Sequence, residues 1–169
     1  MTRRLARLLA LPLFVGAACA PLPEEQSEWE REHLAPAPQE RQAALPAYPA
    51  DTDLVEFAVP ESAGFRFFID AASLAVGDDG IVRYVLLARS PNGVDNVSFE
   101  GLRCATGEYR LYAVARSDRT WSARAGSWQR VSAASGGPWR LVLRRDFFCP
   151  GDVAIGSREE GLRALREQR

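Results

Sequence analysis

Between residues 54 and 116, apolar and polar residues alternate in short runs separated by turn-forming residues, and this period of two constrains the fold more than any other feature of the chain. The runs are LVEFAV from Leu54, FRFFID from Phe65, IVRYVLLARS from Ile81, NVSFEGLRC from Asn96 and EYRLYAVAR from Glu108. GDDG at 77–80 and PNG at 91–93 are turns. Phe65, Phe67 and Ile69 share one side of their run, as do Val82, Tyr84, Leu86 and Ala88 of theirs. In the last run Tyr109, Leu111 and Ala113 oppose Arg110, Tyr112 and Val114. Connections of a few residues leave no room for a crossover helix, so the strands pair antiparallel as a meander. SDRTW, from Ser117, forms one further hairpin.

The pattern then changes. GGPWRLVLRRDFFC is short enough to read as a strand, but Pro138 at a first helical position, with Trp139, Leu143 and Phe147 at i, i+4 and i+8, favours a helix laid on the sheet. The terminal SREEGLRALREQR carries capping-box spacing between Ser157 and Glu160 and only Leu162 and Leu165 as an apolar face, which predicts an exposed or frayed helix. The expected class is α+β: an antiparallel meander with a C-terminal helix packed on it and one disulfide.

The disulfide follows from the N-terminus. Arg3, Arg4 and Arg7 precede an apolar run from Leu8 to Val15 and a small-residue stretch, the three-part plan of a secretory signal. The run is shorter than the ~20 apolar residues of a membrane span. Cleavage after Ala20 leaves Pro21 at the first mature position, whereas VGAAC resembles a bacterial lipobox that makes Cys19 the acylated N-terminus, despite Gly16 in place of the preferred Leu. Of three cysteines, that leaves Cys104 and Cys149, an even pair in an oxidising compartment and therefore expected to be bonded. The predicted organisation is a signal over 1–18, a lipidated Cys19 and stalk over 19–52, a domain over 53–156 and a helical tail over 157–169. Six of the eleven prolines lie between residues 20 and 52, around an acidic run, which is the composition of a tether.

Several chemistries fall away. All 21 basic residues are arginine, so no phosphate-loop lysine or Schiff-base lysine exists, and a net charge of −1 argues against a nucleic-acid binder. The only histidine, His33, sits in the tether, and no CxxC or HxxxH spacing offers zinc ligands. Neither cofactor nor metal is expected, and no residue is assigned a catalytic role. Asp70, Asp78, Asp79, Glu100 and Glu108 are the acids from which a glycosidase-like carboxylate pair would be drawn, yet turn and capping roles explain them more simply. One asymmetry remains. Residues 20–62 hold ten acids against Arg31 and Arg41, while residues 103–145 hold nine arginines against Glu108 and Asp118. Arg103, Arg110, Arg116, Arg124, Arg144 and Arg145 are the candidates for a cationic binding face, directed at an anionic envelope glycan, a partner protein or the protein's own stalk.

The stretch from Phe65 to Ala115, followed by LRRDFFCP, is similar to the cryptic neisserial protein one-like family of proteobacterial envelope proteins over about residues 53–150. The likeness rests on Asp70, Ser73, Leu74, Arg83, Tyr84, Phe99, Glu100, Arg103, Cys104, Phe147, Cys149 and Pro150. A looser likeness is to surface adhesin protein E. These resemblances imply an envelope location and a fold rather than a reaction. The expectation is an outer-membrane lipoprotein, facing the periplasm or the surface, that binds rather than catalyses. The alternative is a periplasmic cell-wall or glycan hydrolase.

Overall fold

The alternation of residues 54–116 supplies six strands of an eight-stranded antiparallel sheet in the computed structural model, which describes residues 40–60, 62–132 and 137–167. The expected signal, Cys19 and most of the expected stalk lie outside these residues. β1 (Leu54–Phe57) and β2 (Arg66–Asp70) are followed by the two-residue β3 (Ala75–Val76) and by β4 (Ile81–Arg89), β5 (Asp95–Arg103), β6 (Glu108–Ala115), β7 (Trp121–Ala123) and β8 (Gln129–Arg130). The lateral order is β1-β2-β4-β5-β6-β7, with β3 extending the edge of β4 and β8 that of β6. Every pairing is antiparallel, so the meander is as the turns require.

One face of the sheet carries Phe67, Ile69, Val82, Tyr84, Leu86 and Leu102 into the larger core cluster. The helix expected from Pro138 covers part of it. α1 (Pro138–Val142) has proline in its first turn and runs on as a wider π turn through Leu143–Phe148. The extra residue in that turn lets the adjacent Phe147 and Phe148 both reach the core, where they are 2% and 0% exposed. It also delivers Cys149 to Cys104, to which it is bonded with the Cα atoms 5.3 Å apart.

The terminal helix, α2 (Arg158–Glu167), is not exposed as the sequence suggested. Leu162 and Leu165 are buried, and Arg158 Nε donates to the carbonyl of Ala71 at 2.8 Å. Gly161 permits this docking: a Cβ there would stand 2.7 Å from Ile155 and 3.0 Å from Leu74. The Ser157 hydroxyl accepts from the Glu160 amide, as the capping spacing predicts, while the Glu160 carboxylate turns to the amide of Gly156. Two leucines suffice to seat the helix because small residues let its axis approach the core closely.

The opposite face is apolar too. Phe68, Val85, Leu87, Val97, Phe99 and Ala113 form a second cluster, and residues 40–50 lie over it with Ala43 and Tyr48 packed against it. These residues were assigned to the stalk; the structure makes them a strap across the sheet. β4 shows the consequence of cover on both sides, since eight of its nine residues are buried.

A second departure from the expected alternation occurs in β6. Phe99 pairs with Ala113 but Glu100 pairs with Leu111, so Tyr112 is an extra residue. This β-bulge turns Ala113 to the strap side with Tyr112 and turns Val114 to the helix side with Leu111, reversing the predicted sides of Ala113 and Val114. Gly101 makes the bulge possible, because a Cβ there would lie 2.8 Å from the Tyr112 ring.

Candidate functional site

α1 covers only one end of its sheet face. Beyond its first turn a cleft of about 700 Å³ opens, lined by apolar side chains including Phe65, Phe67, Leu86, Leu111, Val114 and Trp139. Val114 reaches it only through the bulge in β6. Phe65, Phe67 and Trp139 stack in sequence, with ring centroids 6.3 and 5.4 Å apart. Ser98, Glu100 and Arg140 supply polar atoms to the same wall.

Glu100 and Arg140 form a buried ion pair. Arg140 Nη2 and Nε donate to the two carboxylate oxygens at 2.6 and 2.7 Å, a bidentate geometry. The Ser98 hydroxyl donates to Oε1 at 2.7 Å and the Tyr84 hydroxyl to Oε2 at 3.3 Å. Four donors therefore occupy a carboxylate with about four acceptor positions, which leaves it no free lone pair with which to take a substrate proton. The guanidinium lies 4.1 Å from the Tyr109 ring centroid and 4.8 Å from that of Trp139. Burial, and then the negative Glu100, push the Tyr84 phenol well above its usual range, keeping it a neutral donor. This wall is preorganised and electrically balanced.

The remaining acids are committed elsewhere. Asp70 accepts from the amides of Ala72 and Ser73, the capping role expected of it. Asp78 pairs with Arg41 at the surface. Asp79 does more than shape a turn: it is buried and takes both guanidinium prongs of Arg83, at 3.0 and 2.6 Å. Those hydrogen bonds, helped by the amides of Arg41 and Ile81, overcome burial and bring its carboxyl down to about 2. Glu108 receives Thr106 and Arg103. Among the described residues, no group of three or more His, Cys, Asp or Glu is arranged to hold a metal.

The six arginines proposed as one binding face do not share one. Arg103 lies over Trp128 with 4.0 Å to the ring centroid, and Arg110 lies beside it on the strap side. Arg144 and Arg145 belong to the π turn on the opposite face, paired with Asp152 and Asp146. Arg116 sits in the β6–β7 hairpin near Ser122, and Arg124 follows β7 at the surface. The bulge and the crossing of the chain to α1 scatter residues that alternation alone would align.

On the strap side a different constellation appears. Glu40 accepts from Arg110 Nη1 at 2.8 Å, Tyr112 Oη at 2.8 Å and Trp128 Nε1 at 2.9 Å. Burial would raise this carboxyl, but the three hydrogen bonds and the Arg110 charge outweigh it and hold it below the usual range. Farther along, Arg83 donates to the carbonyl of Arg41 and Trp121 to that of Pro46. Among the described residues of the stalk, Glu40 is the acid that meets the arginines of β5 and β6. Tyr112 and Trp128, polar-tipped aromatics on a sheet face, were the legible signal for such a contact.

Neither a curated protein nor a solved structure matches this chain. A family model does, over residues 34–166, and its span takes in the strap, the sheet, both cysteines of the disulfide and both helices. The chain belongs to the CNP1-like family.

Proposed function

We propose that this protein is a lipid-anchored component of the bacterial envelope that acts by binding, and that the cleft between the sheet and the start of α1 receives the apolar part of its ligand. The cleft itself carries this reading. An apolar hollow of about 700 Å³ with a few convergent polar groups is what a small-molecule site requires. Its buried charges are already neutralised against each other, which suits recognition, and Asp95, the other carboxylate of the lining, is held by Arg89. The lipobox-like VGAAC supports anchoring through Cys19, and the family membership is compatible with an envelope role.

The test combines the two halves. Wild-type protein expressed with labelled fatty acid should incorporate it, and Cys19→Ser should not. A hydrophobic reporter dye should bind the wild type and be displaced by acyl-chain amphiphiles. Val114→Trp, which fills the cleft from its rim, should weaken dye binding at least tenfold without lowering the unfolding midpoint by more than a few degrees. Unchanged dye binding in the plugged variant overturns the cleft assignment. Release of fragments from cell-wall glycan that Glu100→Gln abolishes establishes the hydrolase instead.

A further inference from the structure

The strap face poses a separate question. None of residues 40–50 is buried, whereas the Phe68, Val85, Leu87, Val97, Phe99 and Ala113 side chains of the cluster against which they pack all are. The strap makes no strand pairing. It is held at separate points: the Glu40 clasp, the Arg41 backbone between Asp79 and Arg83, the Pro46 carbonyl on Trp121, and Tyr48, whose ring lies 6.4 Å from that of Trp121 and 5.3 Å from the Arg119 guanidinium. A segment attached this way peels without opening a hole in its own packing. The face it leaves is different, because a contiguous apolar patch of that kind does not stay bare in water.

Only a segment of the same chemistry replaces it. The occupant must carry a carboxylate for Arg110, Tyr112 and Trp128, and a backbone carbonyl about six residues later for Trp121. The strap meets both demands, through Glu40 and the Pro46 carbonyl. We propose that the strap groove is an interface between copies of this chain, in which residues 40–50 of one copy occupy the groove of a second. The exchange reproduces every contact of the closed monomer, so only the connecting segment decides its extent. That segment is defined. The short 3₁₀ turn Asp51–Asp53 follows the strap; the Asp53 amide holds the Ala50 carbonyl and the Ala71 amide holds the Asp53 carbonyl, which leaves the backbone just before Ala50 as the hinge. Anchoring copies to one membrane, as the proposed function has it, raises their local concentration, but the exchange does not depend on it.

The experiment uses the full chain in detergent and a fluorescein-labelled synthetic peptide of residues 40–50. The chain variant Glu40→Ala/Tyr48→Ala weakens its own strap and leaves the groove intact. It should bind the peptide at least tenfold more tightly than wild type, and a peptide carrying Glu40→Gln should bind at least tenfold more weakly. Wild-type chain should show concentration-dependent dimers by sedimentation, and excess peptide should dissociate them. Should the double variant fail to fold, the single Glu40→Gln chain serves in its place. Equal peptide binding by variant and wild type, equal binding of a scrambled peptide, or dimers that the peptide leaves intact would each overturn the proposal. None of these readouts involves the cleft or the acyl group, so the two readings fail separately.

Discussion

Removing one member of the Glu100–Arg140 pair should destabilise the domain at least as much as removing both. The two side chains are 1% and 10% exposed, so solvent screens them little. Glu100→Leu strands a buried guanidinium and Arg140→Met strands a buried carboxylate. A lone charge left by breaking such a pair costs about 3–5 kcal/mol. In Glu100→Leu/Arg140→Met no charge is left. Its main debt is the Tyr84 hydroxyl, which is fully buried and loses its Glu100 acceptor at about 1–3 kcal/mol; the part-buried Ser98 hydroxyl can turn toward water. The double variant should therefore be no less stable than either single one, with a coupling of at least about 2 kcal/mol. Urea titrations of the four proteins under non-reducing conditions measure this, with equal slopes confirming comparable unfolding. Singles costing under about 1 kcal/mol, or a double variant equal to their sum, would refute the view that the pair is desolvated and mutually compensating.

Breaking the staple by Cys104→Ala should cost up to about 4 kcal/mol, the chain-entropy value for a loop closed across 45 residues, read as a lower urea midpoint and faster proteolysis. Alkylation of both cysteines without reductant would contradict the bond. Acid should weaken the Asp79–Arg83 contact. The folded Asp79 carboxyl lies at about 2, below its usual 3.8, so its stabilisation is complete above pH ~4 and disappears as pH falls toward 2. Integrated over the shift this amounts to about 2 kcal/mol, and Asp79→Asn should flatten that part of the stability profile; an acid limb identical to wild type would mean that other groups account for it.

What was legible depended on whether the signal was local. Strand period, turn chemistry and Pro138 act within a few residues, and they delivered the meander and the helix on it. Cysteine parity pointed to the bond once Cys19 was read as the acylated residue, and the structure joins the other two. The strap was missed because a proline-rich run reads as a tether whether or not it has something to lie on. Its trace was on the other side of the pairing: Ile81, Val85 and Leu87, Val97 and Phe99 are apolar where a solvated sheet face would be polar. Glu100 was weighed as an acid, and nothing near it in sequence foretold Arg140, forty residues on.

The sequence by itself determined that this chain forms a stapled antiparallel sheet, because side-chain alternation, turns and cysteine number are properties of short segments and of counts. Tertiary structure alone decided which faces are covered and which charges meet. The Tyr112 bulge reverses the side of every following residue in its strand, and the path through α1 carries Arg140 onto Glu100. Both depend on contacts between segments distant in the chain, where period and propensity carry no information.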